Sequence, residues 1–183
     1  MITKLNKIIV LAMLSSASAA LADMEKMPHK HLKSAGDAGV GVKTSKTFDS
    51  GMQAVLTEYL QIHKEFMSVT PDLNKIKSLS KKLAELTKKL GTLSVNGKHA
   101  DHYKDIPANL KTHAEMMSKH TDLQEVRNSF KKLSQPVAMW VGMAKPSGYA
   151  VMYCPMVKAS WVQREGDTQN PYDRKMPRCG GRV

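Results

Sequence analysis

Cysteine is scarce in this 183-residue chain, with only Cys154 and Cys179, both near the C-terminal end. Two cysteines close at most one intramolecular disulfide, so a disulfide-dense scaffold is excluded. Acidic residues are also few, 16 against 28 Lys and Arg, and aromatics make up 5% of the chain. Runs of β-branched residues are rare, which leaves little to argue for a sheet. The longest uninterrupted apolar run, residues 8–14, is too short to span a bilayer comfortably. No Gly-rich phosphate loop, metalloprotease His-Glu pattern, nucleophile elbow or Cys-x-x-Cys occurs, and no carboxylates pair in an apolar setting. The expected function is therefore not enzymatic.

What is present begins with an export signal. Lys4 and Lys7 precede the apolar run, and Ala20-Leu21-Ala22 fits the small-x-small cleavage rule. Residues 1–22 are read as a signal peptide and Asp23 as the first mature residue. The leader holds two lysines and no acid, so 10 of the formal charge of +12 stay with the mature chain. An exported protein seldom meets nucleic acid, so no nucleic-acid partner is expected. The positive charge instead favours solubility or attraction to anionic surfaces and partners. No stable membrane insertion is expected.

Residues 23–46 are polar, and Gly36, Gly39 and Gly41 break any periodicity, so they read as a flexible leader. Residues 47–183 read as one domain. Phe48, Met52, Val55, Tyr59 and Phe66 recur at helical steps, as do Leu73, Ile76, Leu79, Leu83, Leu86 and Leu90. Thr70-Pro71-Asp72 reads as a cap, a first helical proline and a first-turn acid. A third helix is predicted near Pro107, with Leu110, His113, Ala114 and Met117 inward. Asp122 and Glu125 resemble a capping box for a fourth, which keeps its step through Pro136. The predicted fold is all-α: an antiparallel four-helix bundle with an irregular cysteine-containing tail packed on it.

That tail holds the richest constellation: Tyr153-Cys154-Pro155-Met156, Trp161, Asn170-Pro171-Tyr172 and Met176-Pro177-Arg178-Cys179-Gly180. Thiolate and thioether sulfur are the side-chain ligands that favour monovalent copper, so Cys154, Met156, Met176 and Cys179 form a candidate metal set. Cys154 and Cys179 could equally close a structural disulfide. Two weaker sets exist. Met24, Met27, His29 and His31 lie in the leader, where imidazole and thioether could wrap a copper ion. His113, Met117 and His120 share one helix stripe, although such residues are more often core filler or satisfied polar groups.

The Tyr-Cys-Pro-Met string, the later Trp, Asn-Pro-Tyr and Met-x-x-Cys-Gly resemble the signature of a bacterial domain of unknown function. That domain occurs alone as an exported protein. It also extends the C-terminus of periplasmic adaptor subunits of heavy-metal (copper or silver) efflux pumps of the resistance-nodulation-division type. The segment from Arg127 to Ser134 resembles its last-helix pattern. Here Tyr172 is followed by Asp173-Arg174, where the family often has Tyr-Gly. The resemblance implies a periplasmic location, metal handling, and an efflux adaptor or other envelope protein as partner. It leaves two functions open: a copper-binding protein of the sulfur set, or a docking module whose cysteines form a structural disulfide.

Overall fold

The computed structural model describes residues 46–95 and 100–183. The expected signal peptide and the leader set Met24, Met27, His29 and His31 lie outside the described residues. Four long helices form the body: α1 (Lys46–Met67), α2 (Leu73–Leu90), α4 (Ile106–Lys119) and α5 (Leu123–Ala144), with the short α3 (Ala100–Tyr103) before α4. No helix among the described residues is long and apolar enough to cross a membrane.

The helix starts follow from side chains that satisfy free backbone N–H groups. Asp72 accepts from the N–H groups of Asn74 and Lys75, and Asp122 accepts from those of Gln124 and Glu125. The cap of α2 is thus Asp72 and not Thr70: an ionised carboxylate takes two donors at once, and Pro71 lies just outside the helix. Helix α4 begins beside Pro107, and α5 runs through Pro136 without a break.

Consecutive helices pack side by side, α1 on α2, α2 on α4 and α4 on α5. They alternate in direction. The start of α1 meets the end of α2 at Gly51, where a Cβ would come within 2.8 Å of Leu90 Cδ1. The later half of α1 meets the first half of α5 through aromatic rings: Tyr59 stacks on Phe130 at 4.9 Å, and Phe66 lies 5.0 Å from the same ring.

The tail is where expectation and structure differ. It is only partly irregular, and the fold is not purely α. Strands β1 (Tyr149–Cys154) and β2 (Ala159–Arg164) form an antiparallel hairpin in the register Met152↔Trp161 and Cys154↔Ala159. The two-residue β3 (Gly181–Arg182) pairs with the other side of β1, giving the order β2-β1-β3. The tail's prolines and glycines argue against helix, but most of them fall between strands, where they mark turns. The strands themselves carry Tyr149, Val151, Tyr153, Trp161 and Val162, residue types that suit a pleated, half-buried surface.

Strand β2 lies against α5 and touches α1. Its backbone is completed by tyrosine hydroxyls. The Val162 N–H donates to the Tyr59 hydroxyl at 3.1 Å, and Tyr59 also hydrogen-bonds Ser134 Oγ at 2.9 Å. The Tyr172 hydroxyl donates to the Ser160 carbonyl at 2.7 Å. Replacing Tyr59 by Phe leaves a buried N–H with no acceptor. We expect a loss of about 2 kcal/mol in urea unfolding, within the usual range for an unsatisfied buried group. A loss under about 0.5 kcal/mol would mean that the hydroxyl does not hold the sheet to the bundle.

Candidate functional site

The candidate site lies where β1 ends and the chain returns toward β3. Cys154 is the last residue of β1 and is fully buried, because β1 runs in against α5. Cys179 comes back two residues before β3. The two are joined as a disulfide, with Cα atoms 5.6 Å apart. Both readings of the cysteines need this proximity.

The two methionines of the set differ in setting. Met156 stands in the turn between β1 and β2 and is 70% exposed, so its thioether does not fill the core. Met176 is half-buried in the turn that ends at Cys179, whose N–H donates to the Met176 carbonyl at 3.1 Å. All four sulfur residues therefore belong to the hairpin end and the loop bound to it by the disulfide.

The Asn-Pro-Tyr motif holds that loop in shape. Asn170 donates its side-chain amide to the Met176 carbonyl at 3.0 Å and its backbone N–H to the Pro177 carbonyl at 2.8 Å. Its side-chain oxygen accepts the Tyr172 N–H at 3.0 Å. The Tyr172 ring meets Trp161 edge-on at 5.9 Å. Gly180, at φ 129°, passes so close to Trp161 that a Cβ would lie 2.5 Å from the indole. Only glycine suits both this backbone conformation and this approach.

Two further residues hold the loop: Gln163, which did not stand out in the sequence, and His63, which helical spacing puts near the inward face of α1. Gln163 Oε1 accepts from the Trp161 indole N–H and from the Gln169 N–H, both at 3.0 Å, while its amide donates to the Asp167 carbonyl at 2.9 Å. His63 on α1, 3% exposed, hydrogen-bonds the Gln169 carbonyl through Nε2 at 2.9 Å. A carbonyl only accepts, so the proton sits on Nε2. Burial pushes the His63 pKa down from 6.5 to about 4, with the hydrogen bond opposing it. The loop contact of His63 carries no spacing signal, because its partner is a backbone carbonyl 106 positions away.

The stripe His113, Met117 and His120 does not come together as a ligand set. Met117 is fully buried in the core. Both ring nitrogens of His120 are engaged, Nδ1 with Glu125 at 3.2 Å and Nε2 with Ser129 Oγ at 2.9 Å. His113 is 5% exposed and its Nδ1 has no hydrogen-bond partner. Burial, and then the charge of Lys132, lower its pKa. Among the described residues no group of three or more His, Cys, Asp or Glu side chains could hold a metal ion.

The fold is thus a mostly helical module with a disulfide-bound hairpin on its α1–α5 side. A model of the family described as protein of unknown function (DUF3347) matches residues 55–147, and the chain belongs to that family. The match runs from within α1 to just past α5, so the sulfur motif lies beyond it. Neither the curated proteins nor the solved structures contain a match.

Proposed function

We propose that this protein is an exported carrier of a soft metal ion, monovalent copper, working in the bacterial periplasm alongside heavy-metal efflux. The observation that carries the reading is the hairpin end. It holds Cys154 and Cys179 in contact, with Met176 in the same turn as Cys179 and an exposed Met156 two residues past Cys154. An exposed thioether beside a cysteine pair is chemistry that packing does not demand. The disulfide is the resting form. A dithiol reductant converts it to two thiols by thiol–disulfide exchange and is itself left as a disulfide, and the freed thiolates with the two thioethers supply up to four soft ligands. Release is ligand exchange to a partner such as an efflux adaptor, with no bond made in a substrate.

The test is an anaerobic titration of the reduced mature protein with monovalent copper against a chromogenic chelator, run beside the oxidised form. One-to-one binding by the reduced form alone is expected. Met156→Leu and Met176→Leu keep side-chain volume and remove sulfur, so each should weaken copper binding about tenfold, near 1.4 kcal/mol, with an unchanged circular dichroism spectrum. Unchanged affinity in both variants would make the methionines packing residues and sink the four-sulfur site.

A second reading draws on the closed disulfide and the complete burial of Cys154. In it the module docks on an efflux adaptor or another envelope protein, and the cysteines only brace the hairpin. Absence of copper competition by either redox form would favour this reading.

A further inference from the structure

Arg127, on the second turn of α5, is a side chain that neither the bundle nor the sulfur site uses. Its guanidinium centre lies 5.4 Å from the centroid of the Phe66 ring, at the end of α1. Its Nε and Nη2 atoms are both buried and have no hydrogen-bond partner. These two nitrogens share one edge of the guanidinium, the side-on fork that holds an oxyanion through two parallel hydrogen bonds. Buried polar groups are nearly always paired, and an unpaired charged donor is among the most costly to leave so.

A second arginine reaches the same corner. Arg174, from the loop after Tyr172, donates to the Val69 carbonyl just past the end of α1. Burial lowers the proton affinity of Arg127 most, the positive charge of Arg174 lowers it further, and Asp173 and Asp122 act in the opposite sense. Two arginines are thus set against two aspartates. That balance suits an incoming single negative charge better than a double one. Val69 beside them is 79% exposed.

We propose that Arg127 and Arg174 form a receptor for a carboxylate group, with the Nε–Nη2 edge of Arg127 as the bidentate contact. The planar O–C–O edge of a carboxylate matches the fork, and its single charge unbalances the corner less than a dianion would. Arg174 is exposed and held by one hydrogen bond, so it is free to leave Val69 and turn to the same anion.

The test follows the arginine Nε–H signals of the mature protein by two-dimensional NMR at constant ionic strength. The probes are sodium acetate, sodium phosphate and sodium chloride. Saturable shifts of Arg127 and Arg174 are expected with acetate at millimolar concentration, weaker ones with phosphate, and none with chloride. Arg127→Lys keeps the charge and loses the fork, so its acetate affinity should fall at least tenfold, read at Arg174. Arg127→Met removes an unpaired buried charge, so it should melt no lower than the parent without acetate and lose the acetate-dependent rise in Tm. Equal shifts with chloride, tighter binding of phosphate than of acetate, or an Arg127→Lys variant that binds acetate like the parent would each overturn the proposal.

Discussion

Reduction of the Cys154–Cys179 disulfide, or its replacement by a pair of alanines, is expected to lower the unfolding free energy by about 3.5 kcal/mol. The bridge joins positions 25 apart, and a loop of that length removes about this much chain entropy from the unfolded state. The native state should be little changed otherwise. The Met152–Arg182 and Tyr153–Gly181 pairing, the Asn170 contacts and the Tyr172 hydroxyl all hold the loop independently. Urea unfolding with and without a phosphine reductant checks this, with far-ultraviolet circular dichroism as the probe of retained fold. The outcome also bears on function. A carrier that works with free thiols must stay folded when reduced, so unfolding on reduction at neutral pH and 25 °C would contradict the proposed copper chemistry directly.

Acid is expected to remove roughly 3 kcal/mol of stability through His63 alone, from the fall of its pKa from 6.5 to about 4 on folding. Because folding lowers the proton affinity of this ring, the folded state binds fewer protons than the unfolded state between those two values. The contribution of the neutral ring is complete above pH 6.5 and is lost as pH falls toward 4. The cause is burial: the ring sits 3% exposed between α1 and the loop, and its charged form would have no water. Glu65 adds a change of the same sign at lower pH, since its bonds with Lys75 and the Asp72 N–H hold its pKa below the usual carboxylate value. His63→Gln keeps a donor for the Gln169 carbonyl and cannot be protonated. The difference between parent and variant in urea titrations from pH 7 to pH 4 isolates the histidine. Parallel stability curves for the two proteins would show that His63 does not govern the acid limb.

The helices were legible because their signals are local. Phe48 to Phe66 and Leu73 to Leu90 repeat at three and four residues, and Asp72 and Asp122 stand where α2 and α5 start. The cap of α2 was read two residues early because Thr70-Pro71-Asp72 offers two capping residues, and only the conformation of the turn chooses between them. The sheet was missed for a different reason. Its strands are six residues or shorter, they are separated by breakers, and their stability comes from groups far off in sequence, such as the Tyr59 hydroxyl on Val162.

The candidate site divides along the same line. Residue chemistry and spacing singled out Cys154, Met156, Met176 and Cys179 in the sequence, and the structure joins the two cysteines as a disulfide. Local spacing likewise suggested His113, Met117 and His120, yet tertiary packing commits Met117 to the core and His120 to Glu125 and Ser129. Arg127 and Gln163 looked ordinary in the sequence because burial and partners, not residue type, make them notable.

The sequence by itself determined the four long helices, their order and the Asp122 cap of α5, because periodicity and capping act over a few positions. Only the tertiary structure decided that the tail contains a sheet, that Cys154 and Cys179 are bonded, that Tyr59 and His63 hydrogen-bond the tail, and that one edge of Arg127 is buried. Those outcomes depend on contacts between residues up to 106 positions apart, where chain entropy, burial and hydrogen-bond satisfaction are settled together.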